Sequence, residues 1–233
     1  MSHYYSEDND NLDSLEKDTF FKIKDRSFHF ITDNGVFSKS RLDFGSRLLI
    51  ETVIDIPKAK ILDLGSGYGP VGIVYKVFNP KSTITLSDVN KRALNLSTKN
   101  ARLNNQVATI INSDGFNKIN QKYDMILTNP PIRIGKKKIY QLFSKAYEYL
   151  EESGVLIFVM NKKQGSTSAI SFCEGIYTKV EVINKKSGFQ IIKCLKWLTK
   201  LQDCDKILKC DRMRIFCMFM VKINKNMGWF CEL

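Results

Sequence analysis

The run Ile61-Leu62-Asp63-Leu64-Gly65-Ser66-Gly67-Tyr68-Gly69-Pro70 limits what this chain can fold into more than any other segment. Its first residues read as a buried strand, and its glycines allow a sharp turn and a close approach of backbone to a ligand. Pro70 then suits the first turn of a helix. Strand, glycine turn and helix within a few residues open a unit that alternates strand and helix, and the downstream sequence continues that alternation. Strands are expected at 59–64, 82–87, 107–111, 123–128 and 155–160. Helices are expected at 69–78, 90–104, 136–152 and 163–172, the third ended by Ser153-Gly154. Segments 177–183 and 189–195 form an antiparallel hairpin about 184–188. Seven strands in one doubly wound sheet result, with a ligand site at the carboxyl ends of the strands.

Ahead of this sheet, 19–24 and 27–32 read as a small β-hairpin around Asp25-Arg26, and 41–54 as a helix with Leu42, Leu48, Leu49, Val53 and Ile54 on its apolar side. The organisation expected is a polar N-terminal arm at 1–18, one α/β domain at 19–197, and a Cys/Met-rich extension at 198–233. The six cysteines include Cys204, Cys210, Cys217 and Cys231 in that extension, without a CxxC pair or a nearby His, so no metal site is expected. No apolar leader and no run of about 18 apolar residues is visible, which points to a reduced, cytoplasmic protein and away from a membrane. The net charge is +12, from 36 basic and 24 acidic residues, and the excess is not confined to the tail. It favours a polyanionic partner through long-range attraction and counterion release; a lysine-rich protein with solvated charge is the plainer reading.

The glycine run matches a dinucleotide-binding fingerprint, Gly67-x-Gly69-x-x-Gly72, which alone is weak. Three acids make it more specific. Asp63 precedes the first glycine, where a carboxylate can meet a ligand's ammonium group. Asp88 ends the next strand, where it can take both hydroxyls of a ribose. Asp114 follows the third strand, at the position expected for an adenine amino group, with Phe116 as a stacking neighbour; capping a helix is the alternative for Asp114. This set favours S-adenosyl-L-methionine over a nicotinamide. Gly65, Ser66, Gly67 and Gly69, with Val89 and Gly115 beside the second and third acids, complete the expected cofactor site.

A second motif, Asn129-Pro130-Pro131-Ile132, ends the fourth core strand. An exocyclic base amine is a poor nucleophile because its lone pair delocalises into the ring. Two acceptors on its N–H groups, the Asn129 side-chain carbonyl and the Pro130 backbone carbonyl, can orient it toward a methyl group. Proline stiffens the turn and adds no competing donor. Such catalysis works by position and electrostatics and needs no strong base. That suits a chain whose two histidines, His3 and His29, both precede the core.

Together these residues resemble the class I methyltransferases, and more narrowly the small-domain 16S ribosomal RNA guanine-N2 methyltransferases. The resemblance covers about residues 1–197. It runs through His3-Tyr4-Tyr5, Gly35-Val36-Phe37-Ser38, Asp43-Phe44-Gly45, Asp63 to Gly72, Asp88-Val89-Asn90 and Asn129-Pro130-Pro131-Ile132-Arg133-Ile134-Gly135-Lys136. It implies a Rossmann-like seven-stranded class I methyltransferase sheet with a closing antiparallel hairpin. It further implies Asn129 and Pro130 on the guanine amine, Phe37, Asp43, Pro131 and Ile132 around the substrate, and Arg133 and Lys136 to Lys138 on phosphates. The implied partner is ribosomal RNA or the small ribosomal subunit. Many amine methyltransferases carry Tyr or Phe where Ile132 stands, and Ile132 cannot stack on a base. Larger relatives have a second domain that this chain lacks. Other targets for the same turn are adenine in nucleic acid and a release-factor glutamine; a non-catalytic RNA-binding relative is a further reading, which intact Asp63, Asp88 and Asn129 oppose.

Overall fold

The computed structural model describes residues 13–36 and 42–196. Phe37, the start of the helix expected from residue 41, residues 1–12 and the Cys/Met-rich extension lie outside the described residues. The chain opens with strands β1 (Lys17–Ile23) and β2 (Arg26–Thr32), paired antiparallel as a separate two-stranded sheet. The arm expected at 1–18 therefore overlaps the fold. Lys17 and Asp18 belong to β1, and Ser14 Oγ and the Leu15 amide donate to Asp33 at 2.8 and 2.6 Å.

Helix α1 (Phe44–Val53) precedes the main sheet. The alternation then runs β3 (Lys60–Leu64), α2 (Pro70–Phe78), β4 (Thr83–Asp88), α3 (Lys91–Leu103), β5 (Thr109–Asn112), β6 (Tyr123–Thr128), α4 (Lys136–Glu148), β7 (Leu150–Asn161), α5 (Ser166–Glu174), β8 (Lys179–Lys186) and β9 (Phe189–Leu195). Short 3-10 turns at Ile132–Ile134 and Lys162–Gln164 lead into α4 and α5. The sheet order is β5-β4-β3-β6-β7-β9-β8; the first five strands are parallel and β9 runs antiparallel to both β7 and β8.

The strands are apolar on both faces because helices cover both faces. Ile61, Met125, Leu127, Val155, Ile157 and Val159 join the core shared with α1, α2 and α3. Their alternate neighbours Leu62, Ile126, Leu156, Phe158 and Met160 join a second core under α4 and α5. The N-terminal hairpin extends the first core through Phe21, Phe28 and Phe30. Asn100 on α3 ties it down: its side chain accepts from the Ile31 amide at 2.6 Å and donates to the Ile31 and Tyr68 carbonyls at 2.9 Å each.

The helix expected at 136–152 is shorter. It stops at Glu148, and Leu150 already pairs with Tyr123 in the sheet. Ser153-Gly154 sits inside β7 at a register shift, not at a helix end; Ser153 has φ 63°. A side chain at Gly154 would come within 2.8 Å of the Glu151 carbonyl and 3.1 Å of the Tyr123 carbonyl, so the fold-back there needs glycine. The closing hairpin is also tighter than expected. β8 reaches Lys186, and the turn is only Ser187-Gly188, both with positive φ, as a two-residue hairpin turn demands. Among the described residues no helix is long and apolar enough to cross a membrane.

Candidate active site at the switch point of the sheet

Chain order reverses between β3 and β6, which are neighbours in the sheet but far apart in sequence. At such a point the loops leaving the two strands diverge and open a crevice. Here that crevice is a cavity of about 510 Å³, large enough for a nucleoside-sized ligand. Its lining brings together Asp63, Gly65, Ser66, Gly67, Asp88, Val89, Asp114 and Gly115 on one side, and Asp43, Asn129, Pro130, Pro131, Ile132 and Arg133 on the other. Among the described residues, Gly69, Phe116 and Lys136 to Lys138 were expected in the site and do not line it.

The glycines divide by what surrounds them. Side chains added at Gly65 and Gly67, with φ 71° and 57°, would meet nothing within 4 Å, so these two leave space for a ligand. One at Gly69 would meet Ile73 Cδ1 at 2.8 Å and Ser97 Oγ at 3.1 Å, and one at Gly72 would meet Leu86 Cδ2 at 2.4 Å. Gly69 and Gly72 therefore serve the packing of α2 against the sheet, and Gly69 is corrected from a cofactor contact to a packing residue. Lys136 sits at the exposed start of α4 with its ammonium 5.3 Å from the centre of the Tyr140 ring. Phe116, expected beside an adenine, is instead buried in the second core and stacked on Tyr149 at 4.6 Å.

The acids are built into the loop. Asp63 is 2% exposed, and its Oδ2 accepts from the Gly72 amide at 2.8 Å. Burial pushes its carboxyl up to about 7; the charge of Asp88 adds to this and the Gly72 amide opposes it. Asp88 accepts from Gly67 N at 2.8 Å and from Asn90 N at 2.9 Å. Burial raises it too, against the pull of the Asn90, Gly67 and Val89 amides. Asp114 is exposed and caps no helix; its carbonyl closes a turn with Asn117 N at 3.2 Å.

Asn129 is oriented by α1. Asp43, the N-cap of that helix, accepts from Ser46 N at 3.0 Å and from Asn129 Nδ2 at 3.3 Å. Ser46 Oγ accepts from the same Nδ2 at 3.1 Å. A carboxylate only accepts, so the amide nitrogen must face Asp43. Asn129 Oδ1 is left with no hydrogen bond among the described residues. The Pro131 carbonyl is engaged by Ile134 N at 3.1 Å, whereas no hydrogen bond among the described residues ends on the Pro130 carbonyl. Two acceptors on the turn thus carry no hydrogen bond among the described residues.

Ser46, Phe44, Tyr68, Gln164 and Phe189 also line the cavity and were not foreseen. Ser46 had a local signal, since Asp43-x-x-Ser46 is a helix-capping spacing. Phe189 had none. It arrives from a hairpin 60 positions further along the chain than Asn129, and its ring lies 5.4 Å from that of Phe44. Ser66 Oγ and Tyr68 Oη, at 6% and 3% exposure, are buried without a hydrogen-bond partner. Orphaned hydroxyls and a nearly neutral buried acid around open glycines suit a ligand that is both polar and cationic, which S-adenosylmethionine is.

Comparison with known proteins agrees with this geometry. Residues 27–193 match the methyltransferase small domain family. A Bacillus subtilis protein described only as uncharacterized protein YbxB is 43% identical over 199 residues, covering 83% of this chain and 98% of that protein. Ribosomal RNA small subunit methyltransferase C of Pseudoalteromonas atlantica is 33% identical over 145 residues, 60% of this chain and 42% of that protein, so the match spans less than half the length of that relative. Among solved structures, the T. thermophilus 16S rRNA N2-guanine methyltransferase in complex with AdoMet and guanosine superimposes with a TM-score of 0.71 at 21% identity, over 79% of this chain and 52% of that one. Fold and site define a class I, S-adenosylmethionine-dependent methyltransferase. The chain belongs to the methyltransferase small domain family.

Proposed function

We propose that this protein methylates the exocyclic N2 amine of a guanine in 16S ribosomal RNA, with 19–197 as the catalytic domain and 198–233 as an appended segment. The observation that carries the reading is the Asn129 amide. Its nitrogen is held by Asp43 and Ser46, and neither its oxygen nor the Pro130 carbonyl takes a hydrogen bond among the described residues. The ribosomal RNA methyltransferases among the relatives support the choice of RNA. The aromatic pair Phe44 and Phe189 on the cavity wall supports a base as the target, because either ring offers a stacking face that Ile132 cannot.

When bound, S-adenosylmethionine supplies an electron-poor methyl group on a sulfonium. Asp63 would hold the ammonium end, Asp88 the ribose hydroxyls, and Asp114 the adenine amino group, while Gly65 and Gly67 would let the backbone approach. Asn129 Oδ1 and the Pro130 carbonyl accept the two amine hydrogens and aim the nitrogen lone pair at the methyl. Attack of the amine on that methyl would form the nitrogen–carbon bond with the thioether as leaving group, and the proton lost from the nitrogen would pass to solvent water. Phe44 and Phe189 would offer the base an apolar contact, and Arg133 would reach a flanking phosphate.

The test is transfer of labelled methyl from S-adenosylmethionine to small-subunit RNA and to assembled small subunits, followed by mass spectrometry of the nucleosides. N2-methylguanosine is the expected product. Methylated adenine, or no transfer to either substrate with cofactor binding intact, overturns the reading.

A further inference from the structure

Three loops at the carboxyl edge of the sheet carry all their charge with one sign. Residues 129–140 hold Arg133, Lys136, Lys137 and Lys138; residues 161–165 hold Lys162 and Lys163; residues 184–190 hold Lys185 and Lys186. None of the three contains an Asp or Glu. All eight cations are exposed, and none takes part in an ion pair found among the described residues. The opposite edge differs, since Glu148, Glu151 and Glu152 flank the start of β7 there and Glu151 faces Lys60 at 3.7 Å.

The fold, not the sequence, brings the last two loops together. Asn161 pairs with Phe189, which pairs with Lys186, so the end of β7 and both arms of the hairpin lie in one row. The Lys162 amide donates to the Gly188 carbonyl at 2.8 Å, locking the 3-10 turn onto the hairpin tip. Ser166 Oγ and Gln190 Oε1, 2.5 Å apart, add a second link. Each lysine pair adjoins a residue of the cavity wall: Lys163 precedes Gln164, and Lys186 faces Phe189 across the ladder. The four lysines thus share one edge of the sheet, where a concentration of like charge attracts a polyanion lying across it.

We propose that Lys162, Lys163, Lys185 and Lys186, continuing from Arg133, form a rim that binds the phosphates of the RNA strand flanking the target nucleotide. The inference rests on the RNA reading above and adds the direction of approach. The strand crosses the β6-β7-β9-β8 half of the sheet, while the cofactor occupies the loops of the β3-β4-β5 half.

The experiment replaces all four lysines by Ala in the full chain, with Lys162→Gln/Lys163→Gln as a milder variant and Lys81→Ala/Lys122→Ala, exposed at the opposite edge, as a control. Affinity for a labelled 20-nucleotide unstructured RNA is measured between 50 and 200 mM salt, alongside S-adenosylmethionine affinity and methyl transfer to small-subunit RNA. Each lost single-strand phosphate contact removes about 0.7 from the salt slope, so the fourfold variant should lose about 3 units. Wild-type affinity should then fall about fifty-fold more steeply than the variant's over that range. The milder variant should lose about half of that slope, cofactor affinity should stay unchanged, and KM for RNA should rise. If wild type methylates RNA while the fourfold variant keeps its affinity and slope, the rim is wrong and the methyl-transfer reading stands. A loss in the control equal to that of the Lys162→Gln/Lys163→Gln variant, which removes the same number of charges, reduces the effect to overall charge and also refutes the rim. Wild type that neither binds nor methylates RNA ends both.

Discussion

With Asp63 as the proposed partner of the cofactor's ammonium group, cofactor binding should be a proton-linked event. Its carboxyl is pushed up to about 7 in the free protein, chiefly by burial. A ligand ammonium beside it restores the charged form, so binding must expel a proton wherever Asp63 starts protonated. The sign follows from linkage: affinity is fully developed above pH 7 and declines as pH falls through 7. At pH 6 about nine-tenths of the free protein carries the proton, so affinity should be about tenfold weaker than at pH 8 before any change in the ligand. The ligand's own amine deprotonates near pH 8 and adds a falling limb on the alkaline side, so the acid limb between pH 5 and 7 is the diagnostic one. Calorimetric titration in two buffers of different ionisation enthalpy reads the proton count directly. About 0.9 proton should be released at pH 6 and about 0.5 at pH 7. In Asp63→Asn the amide oxygen can still accept from Gly72, so the loop should persist while affinity falls and the acid limb flattens. The same linkage reverses for folding. A carboxyl raised in the folded state weakens the ligand-free fold as pH rises from about 4 to 7, so Asp63→Asn should melt higher than wild type at pH 8 and no higher at pH 4. No proton release at pH 6, with binding intact, would refute the assignment of Asp63 to the ammonium group.

Three further predictions concern the rest of the site. Asn129→Ala should lower kcat by about 10² or more with cofactor Kd little changed, because the acceptor acts on the substrate amine; equal losses in both would mark the turn as structural. Ser46→Ala removes one of the two groups holding the Asn129 amide, worth about 1 kcal/mol, and should cost kcat two- to tenfold with KM steady in steady-state assays. Phe189→Ala should raise KM for RNA about tenfold, since stacking of one base is worth about 1–3 kcal/mol, whereas thermal unfolding should show a stable protein.

Much of the fold was legible because the sheet is buried on both faces. The strand Tyr123–Thr128 and the strand Phe189–Leu195 fall where apolar runs place them, and the glycine turn opens α2 at Pro70. Expectation failed where local preference met a distant partner. Leu150 to Glu152 follow a helix and contain good helix formers, yet the pairing of Leu150 with Tyr123 draws them into the sheet. Gly69 looks like its neighbours in the motif, and only Ile73 and Ser97 show that its missing side chain serves packing. Asp63, Asp88 and Asn129 were readable because each is fixed by its place at a strand end. Phe44, Tyr68 and Phe189 were not, because the cavity wall they share is assembled from segments with no common spacing.

On the proposed reading, cofactor and substrate draw on different halves of one sheet, and the halves meet between β3 and β6. The glycine turn and its acids hang from β3, β4 and β5; the Asn129 turn, Phe189 and the lysine-bearing segments hang from β6, β7 and the closing hairpin, with Asp43, Phe44 and Ser46 added from the start of α1. Selection can therefore retarget such a protein piecemeal. On the proposed reading, changes in 43–46, 129–140, 161–165 and 184–190 should alter which substrate is admitted while the methyl-donor side is inherited intact, so divergence of substrate among descendants should be concentrated in those short stretches.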